Sequence, residues 1–208
     1  MTVYKNLIFD YDGTVADSYP LFNESFQHAL ALHGIEADPA QTMRELKISV
    51  GYAARQYGDR VDPKQLNREM YDHYYRIVLD RCSLCPGMRE LLEAAAARGV
   101  RCYIYTHSGK EVEDYLAKLG IRAYFADLMT ASENFPRKPD PTALLALCTR
   151  NGLDLAESLM VGDRDIDIAV GHNAGMAGCL YDPDNFYDSA AVGAEHNVTS
   201  LEQVIALI

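Results

Sequence analysis

The chain has 208 residues, a length typical of one domain or of one domain with a small insertion. Apolar residues make up 49% of the sequence, enough for a core, and the formal net charge of -11 argues against a nucleic-acid-binding surface of clustered lysine and arginine. No apolar run reaches the roughly 18 residues of a membrane span, and the N-terminus lacks signal-peptide features. We therefore expect a cytoplasmic protein without nucleic-acid or membrane partners.

Short apolar runs alternate with helical patterns over most of the chain. Strands are predicted at residues 3–9, 100–105, 124–129, 158–161 and 177–181. Helices are predicted at residues 88–98, 110–119, 140–151, 165–173 and 201–207, the last with Ser200 as N-cap. This alternation predicts an α/β fold with a doubly wound parallel sheet. Such sheets bind ligands beyond the carboxyl ends of their strands, near the switch in strand order.

The stretch from residue 15 to residue 85 breaks the alternation. Its patterns favour helices at residues 20–32, 40–47, 50–57 and 63–81. Tyr71, Tyr74 and Tyr75 in the last of these helices are expected to serve packing. We therefore expect a helical domain at 15–85, inserted into a core domain of residues 1–14 and 86–208.

The strongest chemical signal is the segment Asp10-Tyr11-Asp12-Gly13-Thr14, directly after the first predicted strand. One carboxylate at this place can attack phosphorus and form an aspartyl phosphate. A second carboxyl group, two residues on, can protonate the leaving alcohol and later activate water. Backbone N–H groups in the turn at Gly13 can hold phosphate oxygens. The segment therefore indicates phosphoryl transfer, with Asp10 as nucleophile and Asp12 as acid/base.

This segment resembles the first motif of the haloacid dehalogenase superfamily, and three weaker motifs follow in the order of that family. Thr106 ends the second strand, as the Ser/Thr of the second motif does. Lys138, between two prolines, matches the lysine of the third. Gly162-Asp163-x-x-x-Asp167 matches the acidic fourth motif. The resemblance implies a magnesium-dependent phosphatase.

The same resemblance implies a metal site. Asp10 and Asp163 would bind Mg²⁺ through carboxylate oxygens, Asp12 would bind it through its backbone carbonyl, and Asp167 would support the shell directly or through water. Mg²⁺ in proteins commonly takes a few carboxylates, waters and a substrate phosphate. We therefore expect Mg²⁺ as the cofactor.

The resemblance also implies how the phosphate is held. Lys138 would pair with Asp10 and with the phosphate, and Thr106 would hydrogen-bond a phosphoryl oxygen. His107 departs from the residue expected after the motif threonine. Contact with the phosphate and a solvent-facing imidazole are both open for it.

The helical insertion is similar to the smaller cap of this superfamily, which phosphoglycolate phosphatases and β-phosphoglucomutases share. Asp17-Ser18 is similar to the phosphoglycolate-phosphatase-like group. Mutases carry a histidine where this chain has Phe22, which favours water as the acceptor. Lys47, Ser49 and Arg55 lie in the part of such caps that usually faces the site, and they are candidates for substrate contact.

We therefore expect a Mg²⁺-dependent phosphatase that hydrolyses a small phosphorylated metabolite, a phosphomonoester, through an aspartyl-phosphate intermediate. A phosphosugar mutase and a 5′-nucleotidase stay open as alternatives within the enzyme class. A non-catalytic phospho-acceptor and a silent binding module are less favoured, because the motif residues are all present. The sequence leaves open the natural substrate, the choice between monomer and homodimer, and a role for Cys82 and Cys85.

Overall fold

A computed structural model describes residues 3–208, which form two compact units. One unit comprises the chain up to Ala16 together with Leu84–Ile208, and the other is Asp17–Ser83. These limits lie within two residues of the domain limits expected from the sequence. Along residues 3–208, no helix is long and apolar enough to cross a bilayer.

The unit Asp17–Ser83 is helical. Its helices are α1 (Tyr19–Leu32), α2 (Pro39–Ile48), α3 (Val50–Arg55) and α4 (Pro63–Arg81). Asp38 and Asp62 begin α2 and α4, where each side chain accepts a hydrogen bond from a backbone N–H of the first turn. Phe22 on α1 stacks on Tyr74 of α4 with ring centroids 4.3 Å apart. Aromatic packing therefore ties the first helix of this unit to the last.

The other unit contains a six-stranded sheet in which every pair of neighbours is parallel. Its strands are β1 (Asn6–Phe9), β2 (Arg101–Tyr105), β3 (Phe125–Met129), β4 (Ser158–Gly162), β5 (Ala177–Tyr181) and β6 (His196–Val198). The order is β3-β2-β1-β4-β5-β6, so the chain winds outward on one side of β1 and then on the other. The doubly wound α/β fold is thereby confirmed, and the switch in strand order lies between β1 and β4.

Helices follow the strands of this unit in chain order. They are α5 (Met88–Ala97), α6 (Val112–Lys118), α7 (Thr142–Asn151), α8 (Asp165–Asn173) and α9 (Ser189–Val192), with 3₁₀ turns at Arg122–Tyr124, Ala131–Glu133 and Leu155–Glu157. Leu144 and Leu147 of α7 are fully buried in a cluster with Ile8 and Met160 from the central strands. Burial of each such side chain contributes about 1.5–3 kcal/mol, which holds the central strands in place.

The C-terminal part differs from the prediction. Residues Leu201–Leu207 form a 3₁₀ helix rather than an α-helix, and the Ser200 side chain makes no capping hydrogen bond. The strand β6 was missed because its three residues, His196–Val198, carry no apolar run. Pairing with β5 forms it, so it depends on tertiary structure rather than on local pattern.

Candidate active site

Acidic and hydroxyl side chains meet at the carboxyl edge of the sheet, beside the switch in strand order. Asp10 directly follows β1, and Asp163 directly follows β4. These strands are hydrogen-bonded neighbours, and the Asp10 backbone N–H donates to the Val161 carbonyl at 2.9 Å. Thr106 directly follows β2 on the other side of β1. Three distant parts of the sequence therefore converge where ligands of doubly wound sheets bind.

Lys138 bridges two of the carboxylates. Its Nζ lies 2.7 Å from Asp10 Oδ1 and 2.8 Å from Asp167 Oδ1, and its side chain is fully buried. Burial by itself would lower the pKa of Lys138, but the two carboxylates outweigh it and raise the pKa, so the ammonium stays protonated. The lysine is therefore a fixed positive charge against one oxygen of Asp10.

Asp167 is held at the start of α8 by backbone contacts. Its Oδ2 accepts a hydrogen bond from the Arg164 backbone N–H at 3.2 Å. The Asp167 side chain lies so close to Gly162 that a Cβ at that position would overlap the Asp167 Cβ. Glycine at the end of β4 therefore makes room for the carboxylate that contacts Lys138.

Three carboxylates could together hold a metal ion. Oxygens of Asp10, Asp163 and Asp167 lie within 4.8 Å of one another. The Oδ2 atom of Asp10 is buried and has no hydrogen-bond partner within residues 3–208. Burial, reinforced by the Asp10 charge, raises the pKa of Asp167 in spite of Lys138. The cluster therefore carries more negative charge than one lysine balances, and oxygen ligands of this kind fit a hard divalent cation.

Thr14 orients Asp163, the carboxylate that follows β4. Its buried hydroxyl donates to Asp163 Oδ1 at 3.0 Å. The turn that brings Thr14 back toward β4 passes through Gly13, whose φ of 81° favours glycine. The contact with a residue 149 positions away gives Thr14 a positioning role in addition to its place in the motif.

Thr106 and His107 each accept a backbone hydrogen bond in the loop after β2. The Thr106 Oγ1 accepts from the Ser108 N–H at 3.0 Å, which leaves the hydroxyl proton for another acceptor. The His107 Nε2 accepts from the Lys138 N–H at 2.8 Å. Burial lowers the pKa of His107 to about 3, and the Lys138 charge acts in the same direction. The imidazole is therefore half-buried and neutral, and it supports the loop that carries the lysine.

Asp12 contacts a residue that the sequence reasoning missed. The Ser108 hydroxyl donates to Asp12 Oδ2 at 2.6 Å. In the sequence, Ser108 is marked only as a hydroxyl residue two positions after Thr106. Nothing in the local pattern links it to a carboxylate 96 residues away. The contact holds the expected acid/base beside the loop of Thr106.

The candidate residues for substrate contact belong to the helical unit. Lys47, on α2, has its Nζ 5.9 Å from the centre of the Tyr19 ring. Ser49 is the N-cap of α3, and its hydroxyl accepts from the Tyr52 N–H at 3.0 Å. Arg55 ends α3. Ser49 thus has a helix-capping role of its own, and substrate contact by Lys47, Ser49 and Arg55 stays a prediction.

A comparison with family models matches residues 7–180 to the haloacid dehalogenase-like hydrolases. The chain belongs to this family. The match runs from β1 almost to the end of β5 and so includes every motif residue of the site. The predicted family membership is confirmed.

Curated relatives and solved structures agree with this assignment. A phosphoglycolate phosphatase from Rhodospirillum rubrum is 31% identical over 186 residues, which cover 83% of this chain and 77% of the relative. A relative from Clostridium perfringens that carries the name pyrophosphatase PpaX is 28% identical over 84% of this chain and 82% of its own length. A crystal structure named as a predicted phosphoglycolate phosphatase from Haemophilus somnus superposes with a TM-score of 0.83 at 23% identity, covering 100% of this chain and 99% of that one, which shows the fold.

These findings confirm the predicted enzyme class. The family is one of hydrolases, and the relatives described above carry the names of phosphatases. The chain is therefore a phosphatase-type hydrolase of the haloacid dehalogenase-like family, similar to phosphoglycolate phosphatases.

Proposed function

We propose that the chain hydrolyses a small phosphomonoester with the help of Mg²⁺, through an aspartyl phosphate on Asp10. The observation that carries this proposal is the state of the Asp10 carboxylate. One oxygen is paired with buried Lys138 at 2.7 Å, and the other is buried without a hydrogen-bond partner within residues 3–208. A carboxylate held this way at the switch point is oriented for attack on phosphorus.

The residues of the site supply the rest of the reaction. Asp10 attacks phosphorus, and the bond from phosphorus to the leaving oxygen breaks with its electron pair on that oxygen. Asp12 gives its proton to the leaving oxygen, which departs as the alcohol. Asp12 then takes a proton from water as the water oxygen attacks phosphorus, and the bond from phosphorus to the Asp10 oxygen breaks, which releases phosphate and restores the Asp10 carboxylate. The Thr106 hydroxyl donates to a phosphoryl oxygen, and Lys138 balances the negative charge.

Mg²⁺ would be held by the carboxylates of Asp10 and Asp163 and the backbone carbonyl of Asp12, with Asp167 in support. When bound, it supplies positive charge that lowers the repulsion between Asp10 and the anionic phosphate. Thr14 keeps the Asp163 carboxylate in place for this role by its 3.0 Å hydrogen bond.

The substrate class rests on the relatives and on the helical unit. The relatives named as phosphoglycolate phosphatases support a small phosphorylated acid as the first substrate to test, and the PpaX relative adds pyrophosphate. Phe22 stands where mutases carry a histidine, and it is buried against Tyr74. We therefore favour hydrolysis over phosphosugar transfer.

We also propose that the protein works in the reducing cytoplasm. Cys102, Cys148 and Cys179 are buried free thiols, and burial raises the pKa of Cys102 and Cys179 to about 12. Such thiols are unreactive and need no oxidising compartment.

The test is turnover of p-nitrophenyl phosphate with Mg²⁺, with EDTA, and in the variant Asp10→Asn. We expect EDTA to abolish turnover and the variant to lose at least about a thousandfold in kcat, since the nucleophile is removed. Asp165→Asn is the matched control, because Asp165 is exposed and its Oδ1 accepts a local hydrogen bond from the Ile166 N–H. Equal rates in wild type and Asp10→Asn would contradict the mechanism.

A substrate panel then addresses specificity. It contains phosphoglycolate, pyrophosphate, sugar phosphates and nucleoside monophosphates. We expect kcat/KM to be highest for phosphoglycolate. A clear preference for a nucleoside monophosphate would favour the 5′-nucleotidase alternative, and conversion of one sugar phosphate into its isomer would favour the mutase.

A further inference from the structure

We infer that Ser108 is a positioning residue for the acid/base carboxylate of Asp12, an inference that rests on the proposed function. The observation behind it is the 2.6 Å hydrogen bond from the Ser108 hydroxyl to Asp12 Oδ2. This distance lies at the short end of the range for O–H···O hydrogen bonds, so the contact with the Asp12 carboxyl group is a close one. The bond joins the loop after β2 to the loop after β1, so it links two of the motifs.

Ser108 is itself fixed by its backbone. Its N–H donates to Thr106 Oγ1 at 3.0 Å, and its carbonyl accepts from the Ala131 N–H at 2.9 Å. The side chain thus starts from a backbone anchored on both sides, to the loop after β2 and to the loop after β3. A donor with so little freedom restricts the rotation of the carboxylate that it binds.

The same hydrogen bonds set the distance between two groups of the reaction. Thr106 would contact a phosphoryl oxygen, and Asp12 would protonate the leaving oxygen on the same phosphorus. Ser108 contacts both residues, one through its N–H and the other through its hydroxyl. Proton transfer requires the carboxyl group within hydrogen-bond reach of the leaving oxygen. Ser108 therefore holds the acid at a fixed place relative to the phosphate.

The dependence on the leaving group tests this role. An alkyl phosphate needs a proton on its leaving oxygen, whereas p-nitrophenolate leaves without one. For Ser108→Ala we expect kcat/KM to fall about tenfold for an alkyl phosphate such as phosphoglycolate, a part of the roughly 10²- to 10⁴-fold that general acid–base catalysis supplies. For p-nitrophenyl phosphate, kcat/KM should change by less than about twofold.

Two further variants separate positioning from a general effect on the loop. Ser108→Thr keeps the hydroxyl and should restore the wild-type ratio of the two kcat/KM values. Ser132→Ala removes a hydroxyl that accepts a hydrogen bond from the Lys110 N–H in a neighbouring exposed loop, and it should leave that ratio unchanged. Thermal unfolding of each variant shows whether the fold is intact.

The outcomes distinguish this inference from the proposed function. If Ser108→Ala slows both substrates equally, or neither, Ser108 does not position the acid. Asp12→Asn is measured in parallel, and it should slow the alkyl phosphate far more than p-nitrophenyl phosphate in kcat/KM. If Asp12→Asn shows that difference and Ser108→Ala does not, only the inference about Ser108 fails. If Asp12→Asn lacks it as well, the proposed acid role of Asp12 fails.

Discussion

The neutral imidazole of His107 makes the protein sensitive to acid. Its Nε2 accepts the Lys138 N–H, so that nitrogen must be unprotonated, and burial lowers the pKa of His107 to about 3 from 6.5. The charges of Lys138, Arg137 and Arg164 lower the pKa further, and the charge of Asp167 opposes them. Between pH 6.5 and pH 3 the unfolded chain therefore binds a proton at this residue that the folded chain does not.

The size of the effect follows from the pKa values. The folded pKa is lowered, so the contribution of His107 to stability is present above pH 6.5 and is lost as the pH falls toward 3. Each pH unit between 6.5 and 3 changes the free energy of unfolding by about 1.36 kcal/mol through His107. Acidification from pH 7 to pH 5 therefore lowers the free energy of unfolding by about 2 kcal/mol through this residue. His107→Gln keeps an acceptor for the Lys138 N–H but does not titrate.

The assay is urea unfolding of wild type and His107→Gln at pH 7 and pH 5, with EDTA present so that metal binding does not contribute. We expect the free energy of unfolding to fall by about 2 kcal/mol more in wild type than in the variant. An NMR titration of the imidazole, assigned by its absence in the variant, supplies the pKa directly. A midpoint near 6.5, or equal losses of stability in both proteins, would refute the reasoning.

Three further substitutions test other contacts of the site. Lys138→Met should abolish phosphatase turnover. It should also lower the free energy of unfolding by about 3–5 kcal/mol, because two buried carboxylates lose their shared cation. Urea unfolding in the presence of EDTA measures this loss. Gly162→Ala should lower the free energy of unfolding by about 1–3 kcal/mol, since the added Cβ overlaps the Asp167 side chain. Thermal unfolding measures this, and an unchanged melting temperature would contradict the close approach of Asp167 to Gly162. Thr14→Val should raise the Mg²⁺ concentration for half-maximal turnover about 10- to 100-fold, because the Asp163 carboxylate loses its donor; a Mg²⁺ titration that matches wild type would rule out this positioning role.

The strands and most helices could be predicted because their signals are local. The run before Asp10 is apolar and becomes β1, all four of whose residues are buried. Gly99, Gly120 and Gly152 follow predicted helices and each adopts a positive φ. The sequence patterns missed β6 and α9, and they assigned Leu201–Leu207 to an α-helix rather than a 3₁₀ helix. The two missed elements have three and four residues, too few for a periodic pattern, and β6 forms by pairing with β5.

The convergence of the motifs could also be expected from the sequence. Parallel strands end at the same edge of the sheet, so residues that follow predicted strands must come close together. Asp10, Thr106 and Asp163 meet there for this reason. Asp10 and Asp163 join Asp167 in one carboxylate cluster, as the resemblance to the family implied.

The sequence by itself therefore determined the fold class, the family and the chemical groups at the centre of the site. Only the tertiary structure decided which groups touch. It adds Asp167 to the expected pair of Lys138 and Asp10, and it brings Ser108 to Asp12 across 96 residues. The physical reason is that periodicity and turn residues act over a few neighbours, whereas these contacts depend on how loops between packed strands run. The carboxylate of Asp10 is visible in the sequence, and the burial and charge around it are properties of the folded chain.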